Sequence, residues 1–166
     1  MGGKTTSKGT KMKIQDKFGK SFQRQTHTDI DFAGHLLKVY LPTRKEMLKL
    51  EEKIKNPPDA LISEEYEKLY ATFQKLYKIN QNVDAEFLDD DIIVEGRSLR
   101  EAAKFKAQEL MREIALVNLV GFEEGDEMFA LSYEDISDTF SEAQIKHLVN
   151  LIQKAVNPDY ETTEKN

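Results

Sequence analysis

The sequence contains no cysteine, which excludes disulfides, thiolate metal sites and a cysteine nucleophile, and fits a reducing compartment. It has no run of about 18 apolar residues, so no membrane-spanning helix is expected. The opening MGGKTTSKGTKMK is basic, but no apolar segment follows it, so it does not read as a secretory signal. Together these absences point to a cytoplasmic protein. With 166 residues the chain is long enough for one domain with a real core and too short for two ordinary ones.

The residue patterns that carry chemistry are also missing. His27, His35 and His147 form no His-x-x-x-His or His-Glu-x-x-His pair, so a catalytic or structural zinc site is not expected. No serine stands on a glycine-flanked turn, and Gly2-Gly3-Lys4-Thr5 lacks both the spacing and the preceding strand of a phosphate-binding loop. The cluster Asp84, Glu86, Asp89, Asp90, Asp91 and Glu95 is the one candidate for a hard cation. A calcium loop alternates oxygen ligands, whereas Leu88 and Ile93 occupy positions where ligands are required, so the stretch reads as a solvated acidic loop. We therefore expect no catalytic residues, no cofactor and no bound metal. The chain reads as an interaction protein rather than an enzyme.

Positive charge is absent from two long intervals, Ile79 to Gly96 and Glu113 to Ile145. Residues 1–25 carry seven Lys or Arg against the single Asp16, while the rest of the chain carries 17 against 29 Asp or Glu. An acidic body with a basic arm repels nucleic acid at its body and attracts a basic protein segment there. The arm, residues 1–26, is polar with Met12, Ile14, Phe18 and Phe22 as its apolar positions, and is expected to be disordered. Its lysines and phenylalanines also suit phosphate contact and base stacking, which leaves a nucleic-acid-associated or adaptor role as the alternative function.

What is present is helical patterning. Ser98 to Gly121 is the expected central helix: Ser98 and Glu101 have capping-box spacing, Gly121 suits a left-handed stop, and Leu99, Ala103, Ala107, Leu110, Ile114 and Val117 share one face. Thr43 with Glu46 opens another helix that ends at Asn56-Pro57-Pro58. A third runs from Asp59 or Ser63 to Asn80 with the stripe Ile62, Tyr66, Leu69, Tyr70, Phe73, Leu76 and Tyr77, which reads as core or as an aromatic binding groove. A fourth begins at Ser141, capped with Gln144, and buries Ile145, Leu148, Val149, Ile152 and Val156. His35 to Leu41 is a short strand closed by Pro42, paired with an extended piece near Gln23 to Phe32. The stretches 82–97 and 123–140 read as acidic connections. The expected fold is mainly α: a compact bundle of about four helices with a small β element near the N-terminus, forming one domain over 27–157, and a frayed tail at 158–166.

On the central helix, Phe105, Leu116 and Leu119 lie roughly opposite the main stripe, so the segment 115–120 is apolar on nearly every side. The domain's own helices can enclose it; otherwise Phe105, Leu116 and Leu119 meet a partner or a second copy, with the acidic segments 84–95 and 123–138 setting partner choice.

The strand-to-helix junction Leu36 to Ile54, LLKVYLPTRKEMLKLEEKI, resembles the early part of the tail assembly chaperones of long-tailed bacteriophages. In that family a short extended element with a Leu-Pro-(Ser/Thr)-Arg-like turn leads into a charged helix. The resemblance implies an acidic, largely helical, non-catalytic protein of the host cytoplasm. It further implies a helical client, the tape measure protein, kept soluble while the tail tube forms around it. Self-association and a longer frameshifted form are further properties it implies.

Overall fold

The computed structural model describes residues 25–157, so the expectations for most of the basic arm and for the tail at 158–166 lie outside the described residues. Two six-residue strands come first, β1 (His27–Phe32) and β2 (His35–Tyr40), paired from His27–Tyr40 to Phe32–His35. Their two-residue connection holds both Ala33 and Gly34 at positive φ, 54° and 83°, as a tight hairpin requires. Alternation along this pair puts Phe32, Leu37 and Val39 on the buried side.

Three of the expected helices follow the sequence closely. Helix α1 (Arg44–Lys55) opens on a full capping box, with Thr43 accepting from the Glu46 N–H and the Glu46 carboxylate accepting from the Thr43 N–H. Pro57 and Pro58 end it, and α2 (Asp59–Ile79) starts directly after them. Between α2 and α3 (Leu99–Val117), the chain forms a small antiparallel sheet of β3 (Ala85–Phe87), β4 (Ile92–Val94) and β5 (Arg97–Ser98). After α3 come β6 (Val120–Glu124), β7 (Glu127–Ala130), the short helix α4 (Tyr133–Thr139) and α5 (Glu142–Val156). The Ser141–Gln144 capping box at the head of α5 is complete.

The expected four-helix bundle is therefore corrected. Among the described residues there are five helices and two antiparallel sheets, a mixed α/β fold in which strands make up 22%. The larger sheet has the order β1-β2-β6-β7, so the β structure expected as a small element near the N-terminus instead joins a second hairpin from beyond α3. Both stretches read as acidic connections contain strands. The strands there are only two to five residues long, and Glu86, Glu123, Glu124 and Glu127 within three of them interrupt the apolar alternation that marks a strand.

Gly121 also differs from its expected role. The helix ends earlier, at Asn118, and Gly121 lies within β6, where a Cβ would stand 2.8 Å from the Phe129 carbonyl oxygen. The glycine is needed for close approach of β7 and not for a left-handed helix stop.

Helix α3 connects two packed regions. Near its start, Ala103 and Ala107 are fully buried, and their small side chains let α2 pack closely along α3. At its end, Leu116 and Val117 enter a core with Phe32, Leu37, Val39, Val120, Ile136, Leu148 and Ile152. The apolar segment at 115–120 is thus enclosed by the domain's own sheet and helices. On the flank, Gln108 donates to the Lys55 carbonyl (2.9 Å) and Arg112 grips Glu51 through two bonds (2.8 and 3.2 Å), fixing α1 against α3.

If the α2–α3 contact depends on small side chains, Ala107→Leu will overpack it and cost about 1–3 kcal/mol. Thermal melts of the variant and parent check this, and an unchanged melting temperature would show that the contact has slack.

Candidate functional site

The aromatic stripe of α2 is divided between core and surface. Phe73 is buried, whereas Tyr66, Tyr70 and Tyr77 are half-buried and Leu76 and Ile79 are exposed. The β3–β4 hairpin folds against this ladder: Phe87 makes edge-to-face contacts with Phe73 (6.0 Å) and Tyr77 (5.9 Å), Tyr77 stacks on Phe73, and Tyr66 stacks on Tyr70. Phe87 and Leu88 remain exposed, at 58% and 48%. A shallow hollow of about 280 Å³ lies among Tyr66, Tyr70, Phe87, Leu88 and the Asp89–Asp91 run. The surface is aromatic, amphipathic and acid-rimmed.

Asp91 holds this surface in place. Its carboxylate accepts from the Ile92 N–H (2.8 Å), from the Ser98 hydroxyl, and from the Arg100 N–H in the first turn of α3 (2.8 Å). Ser98 in turn accepts from the Glu101 N–H (3.1 Å). The expected Ser98–Glu101 box is thus formed on the serine side, while Asp91, from the neighbouring hairpin, caps a second first-turn N–H. Burial alone raises the Asp91 pKa, but the bonds from Ser98, Arg100 and Ile92, with the Arg100 charge, outweigh it and hold the carboxyl below its ordinary value. The Arg100 guanidinium lies 4.7 Å from the Tyr66 ring centroid and also donates to the Asp90 carbonyl (2.9 Å). Burial and the nearby Asp91 charge raise the Tyr66 pKa, against the opposing effect of Arg100.

A second candidate lies at the larger sheet, where β2 and β6 separate. They pair only at Lys38–Gly121 and Val39–Val120. Continuing that register would bring Leu37, Leu36 and His35 opposite Phe122, Glu123 and Glu124, yet a cleft of about 680 Å³ opens between them. Its floor is apolar, with Phe32, Leu37, Ile136, Phe140 and Leu148; its rim carries His35, Leu36, Glu123 and Glu124. Phe32 meets Phe140 edge-on at 5.3 Å and Phe122 stacks on Phe129 at 5.5 Å, which fixes the ring walls. Tyr133 anchors α4 beneath the cleft: its hydroxyl donates to Glu113 of α3 (2.9 Å), and burial together with that carboxylate pushes its pKa up to about 12. Such a cleft suits an aromatic or aliphatic side chain from a basic segment.

The three residues singled out from the sequence do not form one surface. Phe105 is 60% exposed on α3, Leu116 is only 4% exposed within the core, and Leu119 is half-buried against that same core. The assignment of Leu116 to an accessible partner face is corrected: β6 and α5 enclose the end of α3 where a pure bundle would leave a seam. The cleft residues Phe32, Phe122 and Phe140 were missed. The period-two pattern Val120, Phe122 before the Gly125-Asp126 turn was the available signal.

Among the described residues, no three His, Asp or Glu side chains converge as metal ligands, and no helix is long and apolar enough to cross a membrane. Searches against protein-family models, curated proteins and solved structures returned no match.

Replacing Asp91 with Ala removes a cap and a hairpin tie, and is expected to cost about 0.5–2 kcal/mol near neutral pH. A depressed folded pKa contributes stability at and above the unfolded value near pH 4, and that contribution is lost as pH falls through the folded value. The gap between parent and variant in urea melts should therefore narrow as pH is lowered below about 4. A gap independent of pH would assign the loss to packing.

Proposed function

We propose that this chain is a non-enzymatic binding protein that chaperones a long helical client through the aromatic ladder of α2 and the β3–β4 hairpin. The observation that carries the reading is the juxtaposition of Tyr66, Tyr70, Tyr77, Phe87 and Leu88 on an exposed, acid-rimmed surface. Tyrosines give large contact area at small entropic cost, and exposed apolar side chains cover the apolar seam of a helical client. The neighbouring carboxylates keep the complex in solution and favour a client with basic flanks. Phe105 extends the accessible apolar surface on the adjoining helix.

The resemblance at 36–54 suggests which client this is. There the sequence forms β2, the Pro42 turn and α1, and the likeness to phage tail assembly chaperones rests on the sequence pattern of that stretch. On this reading the client is the tape measure protein and the setting is the cytoplasm of an infected host. Self-association through the same apolar surface belongs to the proposal. A nucleic-acid-associated or adaptor role is the second reading, favoured by the seven Lys or Arg among residues 1–25.

A solubility assay with an aggregation-prone tape measure segment tests the first reading. The parent should suppress light scattering at stoichiometric concentration, and Tyr77→Asp with Leu88→Asp should weaken binding at least tenfold, about 1.4 kcal/mol, with helix content unchanged. Suppression by neither protein, or equally by both, would remove the ladder from the account. Binding of apolar helix surface should change little with salt, whereas arm-driven DNA binding should fall by orders of magnitude between roughly 50 and 200 mM salt.

A further inference from the structure

The cleft between β2 and β6 has an apolar floor of core side chains, Phe32, Leu37 and Phe140 among them, an exposed Leu36 (69%) at its mouth and two carboxylates, Glu123 and Glu124, on its rim. Glu123 is shared with Lys38 at 3.8 Å, and neither Lys nor Arg occurs anywhere from Glu113 to Ile145, the interval that supplies β6, β7 and α4. An occupant of this site combines a bulky apolar side chain with flanking positive charge.

The same chain contains such a segment. Lys17-Phe18-Gly19-Lys20 lies just ahead of the described residues, with Lys13 before it and Arg24 after it. We propose that Phe18 of the N-terminal arm docks in the cleft between β2 and β6, with Lys17 and Lys20 beside Glu123 and Glu124. Chain length supports this register. The cleft lies at the Phe32 end of β1, seven residues or about 23 Å from Gln25 at about 3.3 Å per residue, a distance Phe18 matches only with the arm fully extended. Phe18 stands seven residues before Gln25 and can reach back about 23 Å, whereas Phe22, three residues before it, reaches only about 10 Å. Among the described residues β1 is an edge of the sheet, so an arm returning along it meets no other described strand of that sheet. Tethering supplies a high local concentration, so modest contacts suffice to hold the segment. The docked arm covers the cleft and neutralises part of its acidic rim, and a partner using the cleft must displace it. The inference does not depend on the identity of the client.

The absence of tryptophan makes the test direct. In the full chain, Phe18→Trp places a single reporter at the docking position. Its emission should be shifted to the blue and its quenching by iodide reduced several-fold relative to a free peptide of residues 11–24 carrying the same Phe18→Trp substitution. Both effects should be independent of protein concentration. Adding Leu36→Lys at the exposed mouth, or Glu123→Lys with Glu124→Lys at the rim, should return the emission to that of the free peptide while circular dichroism stays unchanged. Solvent-like emission in the Phe18→Trp protein overturns the proposal. So does a blue shift that grows with concentration, which would place the arm on a second copy, and so does a shift indifferent to the cleft variants, which would place Phe18 elsewhere.

Discussion

Everything else in the molecule depends on α3 being buried along two different surfaces. At Ala103 and Ala107 it offers almost no side chain, so α2 lies close against its backbone; at Leu116 and Val117 it offers branched aliphatic groups to the sheet and α5. A helix of 19 residues is about 28 Å long, enough to reach from the small sheet beside α2 to the core beneath the larger one. The two candidate sites sit at opposite ends of this arrangement, the aromatic ladder beside the start of α3 and the cleft near its end.

Polar bonds fix those ends. At the start, Asp91 and Ser98 cap successive N–H groups, so the β3–β4 hairpin and the helix share one hydrogen-bond set. Toward the end, the Tyr133 hydroxyl on Glu113 holds α4 under the cleft. Each bond is modest by itself. Their effect is positional: they determine which way Phe87 and Leu88 face, and where Ile136 and Phe140 stand. Binding surfaces need that rigidity, since a mobile ladder would lose affinity to the entropy of ordering it.

The helices were legible in the sequence because each carries its own terminus. Thr43–Glu46 and Ser141–Gln144 form as read, and the proline pair divides α1 from α2. The β structure beyond Pro42 was not legible. Strands of two to five residues give only one or two periods of alternation, and Glu123, Glu124 and Glu127 make the β6–β7 hairpin resemble a solvated connection. Gly121 was misread for a related reason, since glycine serves both a helix stop and a close strand approach and only the partner strand distinguishes them. The aromatic ladder was visible as a stripe, but its division into buried Phe73 and accessible tyrosines came from the hairpin that folds over it. Leu116 shows the converse, an apolar residue off the main stripe that turned inward because a sheet was there to receive it.

Native-state hydrogen exchange along α3 measures the central claim most directly. If one helix couples both regions, amides near Ala107 and near Val117 will exchange together, through the same global opening and with the same protection in moderate urea. Independent opening, with the Ala103–Ala107 half exchanging through a cheaper local transition than the Leu116–Val117 half, would contradict the account and leave two separately stable packing units.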